Sequence, residues 1–148
     1  MKLLRKFTRL PMDEKQFFLK AVLCIGYFRI KLKTTSLQAL FSQVNRQAED
    51  LFKTPKTSGI PPLRMARLIQ RANQFVPLST CLAQSLAGKK LFAENGFRTT
   101  IHIGVNNDRE TGFEAHAWLT MDDTVLLGDI PGLDQYSEFP SSSAGDQP

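Results

Sequence analysis

The chain has 148 residues, 42 % hydrophobic and 22 % charged, which suits one folded domain with a real core and excludes a disordered chain. Its two cysteines, Cys24 and Cys81, supply no disulfide framework and favour a reduced, cytoplasmic setting or a functional thiol. The net charge of +5 divides unevenly: residues 1 to 75 carry 15 Lys+Arg against 4 Asp+Glu, and residues 76 to 148 carry 4 against 10. A basic half of this kind suits an acidic partner or is simply a solvated face. The longest apolar run, Ala21 to Phe28, is too short to span a bilayer, and no cleavable signal is expected.

In chain order, the spacing predicts a helix over 12 to 33, with Asp13 and Glu14 in its first turn and Lys31 and Lys33 at its end, as the helix dipole prefers. Phe17, Phe18, Ala21, Val22, Ile25 and Phe28 recur at three- and four-residue intervals. A second helix is expected over 36 to 52 and a third from Pro61 and Pro62 to about Phe75, separated by a loop of Pro, Gly, Ser and Thr. On the third, Met65, Leu68, Ile69 and Ala72 face inward, while Arg64, Arg67 and Arg71 fall on another face that could hold acidic groups of a substrate or carrier. Ser79 and Thr80 are suitable N-caps for a fourth helix, with Cys81 in its first turn and Gly96 at its end.

After Gly96 the period changes to two. Ile101, Ile103 and Val105 mark a first strand, residues 106 to 112 a turn, and 113 to 121 a second strand with Glu114, His116 and Trp118 on one face. Asp122-Asp123 marks a tight hairpin turn into a third strand, 124 to 130, ending in Gly-Asp-Ile-Pro-Gly. The Ser-, Gly- and Pro-rich residues 137 to 148 read as a disordered tail. The expected class is α+β, divided into an N-terminal helical segment (1–60), a core (61–136) and the tail (137–148).

A thiol is a nucleophile only as thiolate, and Cys81 at a helix N-terminus meets unpaired N–H groups and the positive end of the dipole. His116 could take its proton. Counting equal distances from the 122–123 turn puts Asp129 beside His116, where a carboxylate would hold the imidazole. Glu114 competes for that role. Cys24 reads instead as a small buried hydrophobe, His102 as a satisfied histidine, Trp118 as packing, Asp134 as turn chemistry, and Gln74 as a weak oxyanion donor.

The stretches Val76-Pro-Leu-Ser-Thr-Cys-Leu-Ala-Gln-Ser-Leu86, His102-Ile-Gly-Val105 and Phe113-Glu-Ala-His-Ala-Trp-Leu119 together resemble the lasso peptide biosynthesis B2 proteins of the transglutaminase-like cysteine peptidase superfamily. The resemblance is specific over Val76 to Gly132 and looser over the N-terminal helices. One departure is Gln84-Ser85, where many members carry Arg. The resemblance implies a papain/transglutaminase-like core, a Cys-bearing helix on a small antiparallel sheet, with Cys81 as nucleophile, His116 as base and acid, and Asp129 as orienting carboxylate. It implies a cytoplasmic leader peptidase acting on a ribosomally made precursor, beside a separate leader-binding protein and a lasso cyclase, with no cofactor or metal. Two alternatives stay open: an acyltransferase with the same triad, transglutaminase-like or an N-acyltransferase, and a non-enzymatic basic adaptor. No nucleic-acid motif is present to favour a nucleic-acid partner.

Overall fold

The structure, a computed structural model, describes residues 2–56, 58–78, 80–108, 110 and 112–138. Five α-helices precede the sheet: α1 (Lys2–Thr8), α2 (Met12–Thr34), α3 (Leu37–Lys53), α4 (Pro62–Asn73) and α5 (Cys81–Glu94). Four strands follow, β1 (Thr100–Asp108), β2 (Gly112–Met121), β3 (Thr124–Leu127) and the two-residue β4 (Ser137–Glu138), in the antiparallel order β3-β2-β1-β4. The α+β class is that of the sequence reading.

Local chemistry fixes the helix ends. Ser36 Oγ accepts from the Ala39 N–H and opens α3, and Thr80 Oγ1 accepts from the Ala83 N–H at 3.1 Å and opens α5. At the other end of α5, Gly96 (φ 87°) lets the Phe97 N–H donate to the Phe92 carbonyl and its own N–H to that of Ala93. That is a Schellman closure, which the left-handed glycine permits. Asn95 ties the preceding loop down, accepting from the Ser58 N–H and hydroxyl while donating to the Leu91 carbonyl.

The element α5 is the axis of the molecule. Ala83, Leu86, Ala87, Leu91 and Phe92 are fully or almost fully buried, as a helix covered on all sides requires. On one side it meets α2, α3 and α4, and on the other the sheet. Gly88 allows the closest approach, since a Cβ there would stand 2.5 Å from Leu127 Cδ1 and 3.1 Å from Leu119 Cδ2. One continuous apolar core therefore runs from Phe17 and Ile25 through Met65 and Leu86 to Leu119 and Leu127. Lys20–Glu94, at 2.6 Å, joins α2 to α5.

Several details differ from expectation. The helix α1 precedes the first helix that the spacing predicts, and Phe7 packs on Phe18 at 5.1 Å between ring centroids. Ser137 and Glu138, assigned to a disordered tail, pair with Val105 and Gly104 as β4; residues 139 to 148 lie outside the described residues. The arginines of α4 do not form one open face. Arg64 clamps Glu14 of α2 through two hydrogen bonds at 2.9 and 3.1 Å, while Arg67 is exposed and Arg71 half-buried.

Asp122 and Asp123 both take left-handed backbone (φ 48° and 69°), the two-residue turn that matches strand twist. Past it the register slips. Met121 faces Thr124 and Thr120 faces Val125, but Leu119 faces Leu127, so Leu126 is an extra residue. This bulge lets Leu126 and Leu127 both be buried, which strict alternation forbids.

Candidate functional site

The thiol stands where the cap puts it. Cys81 is the first residue of α5, half-buried, with Thr80 closing the turn around it. That hydroxyl satisfies the Ala83 N–H, whereas the N–H groups of Cys81 and Leu82 belong to the first turn, which has no intrahelical acceptors to offer. They and the helix dipole provide positive potential at the sulfur. Cys24, by contrast, faces into the core from α2, and burial pushes its thiol up to about 11, which suppresses the thiolate at neutral pH.

On β2, His116 lies opposite Gly104 of β1. Its Nε2 is 2.6 Å from the Gly128 carbonyl oxygen. A carbonyl only accepts, so Nε2 carries a proton, and in the neutral ring Nδ1 is the nitrogen with the lone pair. The ring runs nearly parallel to Trp118, 6.2 Å away, and Trp118 in turn stacks on His102 at 5.4 Å. His102 is satisfied at both nitrogens, by Glu138 and by Thr120 Oγ1, in keeping with a structural role. Gly104 leaves the space that the indole fills, since a Cβ there would stand 3.0 Å from the Trp118 ring.

The orienting contact comes from an unexpected atom. The sequence count places Asp129 opposite His116, but the bulge at Leu126 advances later partners by one, and β3 ends at Leu127. Asp129 is exposed, and the group bonded to the imidazole is the carbonyl of the residue before it. Gly128 makes this possible: its φ is 83°, and a Cβ would stand 2.6 Å from the Ala117 carbonyl oxygen. Only glycine bends the chain here tightly enough to aim its carbonyl at β2.

Tyr136, not singled out from the sequence, completes the group. Its ring is 5.8 Å from that of His116, and its hydroxyl donates to Glu114 Oε2 at 3.1 Å. The phenol is pushed above its ordinary range by desolvation, then by the Glu114 hydrogen bond and charge, and also by Cys81. Glu114 thus serves the tyrosine, and nothing bonds it to His116 among the described residues. Gln74 caps the end of α4 and is exposed. Ser85, at the departure from the expected Arg, is buried, with no hydrogen-bond partner for its Oγ among the described residues. Those residues contain no group of three His, Cys, Asp or Glu side chains able to hold a metal, and no helix among them is long and apolar enough to cross a membrane.

A cysteine opening a buried central helix, packed on an antiparallel sheet that carries a tautomer-fixed histidine, is the layout of thiol-based acyl chemistry. A profile of the transglutaminase-like superfamily matches residues 22–141, most of the chain. The chain belongs to the transglutaminase-like superfamily. No curated protein and no solved structure gives a significant match.

Proposed function

We propose that the protein is a cysteine peptidase that removes the leader from a ribosomally synthesised lasso peptide precursor. In this reading Cys81 is the nucleophile and His116 the base and acid, with Asp129 as the supporting carboxylate. The observation that carries the chemistry is the Nε2 bond of His116 to the Gly128 carbonyl, because it leaves Nδ1 free to accept a thiol proton.

Cys81 sulfur attacks the scissile carbonyl as its proton passes to His116 Nδ1. The oxyanion forms beside the first-turn N–H groups of α5. The imidazolium then protonates the departing amine, the C–N bond breaks, and a thioester remains on Cys81. Water, deprotonated by the same nitrogen, attacks the thioester and releases the leader as its carboxylate. The fixed carbonyl dipole of Gly128 steadies the imidazolium, and Asp129, one residue further, adds its negative charge from the solvent side. The freed amine is what a separate ATP-dependent cyclase would join to an acidic side chain. Partner recruitment by a leader-binding protein, and a cytoplasmic setting, belong to the same proposal and rest on the sequence resemblance.

The test is mass spectrometry of a precursor peptide incubated with the purified chain and a leader-binding partner. Release of leader carboxylate and core amine by wild type, and by no Cys81→Ala sample, is expected. Transfer of the acyl group to an added amine in preference to water would replace hydrolysis by the acyltransferase reading. Absence of any Cys81-dependent product would sink both.

A further inference from the structure

The helix α2 is apolar on two opposite sides. Its inner side supplies Phe17, Phe18, Ala21, Ile25 and Phe28 to the core. Its outer side carries Met12, Leu19, Leu23, Tyr27 and Ile30, which are 68, 54, 75, 44 and 61 % exposed. At 100° per residue these five lie within a sector of about 80°, forming a ridge about 27 Å long from Met12 to Ile30. A ridge of this length is not the scattered surface leucine that every protein shows.

Charge decides what fits against it. Helical geometry puts Lys15 and Lys33 along one flank of the ridge and Lys31 along the other, where Asp13 and the Lys20–Glu94 pair also lie. Lys31 sits over the Tyr27 ring, 5.7 Å from its centroid. Just ahead, α1 and its turn add exposed Arg5, Lys6 and Arg9. A second copy pairing ridge to ridge in antiparallel fashion would turn the Lys15–Lys33 slope against itself, with no acidic residue on that slope of α2 to offset it. A single protruding helix with aliphatic residues along its crest and cations on both slopes fits a fluid surface, which yields to a ridge and needs no matching groove.

From this we infer that α2 lies flat on an anionic phospholipid surface, its crest in the acyl boundary and its lysines among the headgroup phosphates. The inference is independent of the peptidase reading, because no residue of the Cys81–His116 group takes part. The ridge would hold the enzyme in the interface plane without spanning the bilayer.

Co-sedimentation of the full chain with phosphatidylcholine vesicles, with and without phosphatidylglycerol, tests it. Binding is expected only with phosphatidylglycerol and should weaken as salt screens the phosphates. The L23Q/I30Q variant should bind roughly a hundredfold more weakly, the loss expected for two inserted side chains, with an unchanged melting temperature since both residues are exposed. K15Q/K33Q, which spares the crest, should lose the phosphatidylglycerol preference. Failure to bind anionic vesicles overturns the inference, as does equal binding by L23Q/I30Q. So does a dimer, or a complex with an acidic protein, that depends on Leu23 and Ile30 while vesicles are ignored.

Discussion

Replacing Gly128 by alanine perturbs the imidazole without replacing any side chain of the site. The residue has φ 83°, and the added Cβ would meet the Ala117 carbonyl oxygen at 2.6 Å and Trp118 Cα and Cβ at 2.9 Å. Two of those atoms are backbone and cannot swing aside. Left-handed backbone costs an L-residue about 1–2 kcal/mol, and overpacking adds about 1–3 kcal/mol. Against a total stability of about 5–15 kcal/mol, the variant should fold but melt on the order of 10 °C lower. The cheapest relief moves the chain at 128 away from β2, which lengthens the 2.6 Å contact to His116 Nε2. Turnover below the melting transition should therefore fall by more than the unfolded fraction explains, and the 15N shifts of the His116 ring should show mixed tautomers. Gly132→Ala is the control. Its φ is also left-handed, at 80°, but the nearest atom to its Cβ is Gln135 Oε1 at 3.5 Å, so it should lose about 1 kcal/mol and keep full activity. If Gly128→Ala melts like Gly132→Ala and turns over like wild type, the carbonyl does not position the imidazole.

Asp129→Asn should reduce kcat only modestly, on the order of tenfold, because a carbonyl already fixes the tautomer, whereas His116→Ala should remove nearly all turnover; equal losses would place the Asp129 carboxylate on the ring during catalysis. Iodoacetamide at neutral pH should label Cys81 well ahead of Cys24, whose thiol at about 11 leaves roughly one molecule in 10⁴ ionised; mass spectrometry of tryptic peptides reads the ratio. The Arg64 guanidinium holds the Glu14 carboxyl below its ordinary 4.5, so the pair's contribution is complete above that value and is lost as pH falls through the lowered one. Arg64→Gln should then cost at most about 1 kcal/mol at pH 7, and chemical denaturation should find little difference from wild type in acid. Asp123→Gly, which relieves a left-handed non-glycine residue, should raise stability by about 1 kcal/mol, and an unchanged or lower denaturation midpoint would argue against strain in that turn.

Much of the fold was legible because the signals were local. Thr80, Gly96 and the alternation around His116 each act within a few residues, so the Cys81 helix and the β2 strand could be placed from pattern alone. The Asp122-Asp123 turn was equally plain. What escaped was decided by distant packing. The helix α1 is held by Phe7 on Phe18, and β4 by its pairing with Gly104 and Val105, so neither had a local signature. The bulge did leave a trace: Leu126-Leu127 breaks the alternation of its strand, and two adjacent leucines can both be buried only if the register slips there. Reading that trace would have moved the residue counted opposite His116 from Asp129 to Ile130, while the Gly128 carbonyl reaches the ring through its left-handed backbone. Tyr136 left none, since its place beside His116 depends on where β4 returns along β1.

That return has a bearing on how the protein behaves in crowded solution. The strand β1 is nine residues long, and among the described residues β4 covers it at Gly104 and Val105. The opposite border of the sheet is the four-residue β3. A chain ended at Tyr136 would present the whole outer rim of β1, with its N–H and C=O groups unpaired, as a template for a neighbouring copy. Glu138, held by His102, places a carboxylate on that rim, and a charge on an edge discourages edge-to-edge pairing. Ser137 and Glu138 thus take part of that edge out of reach of strand pairing with another copy.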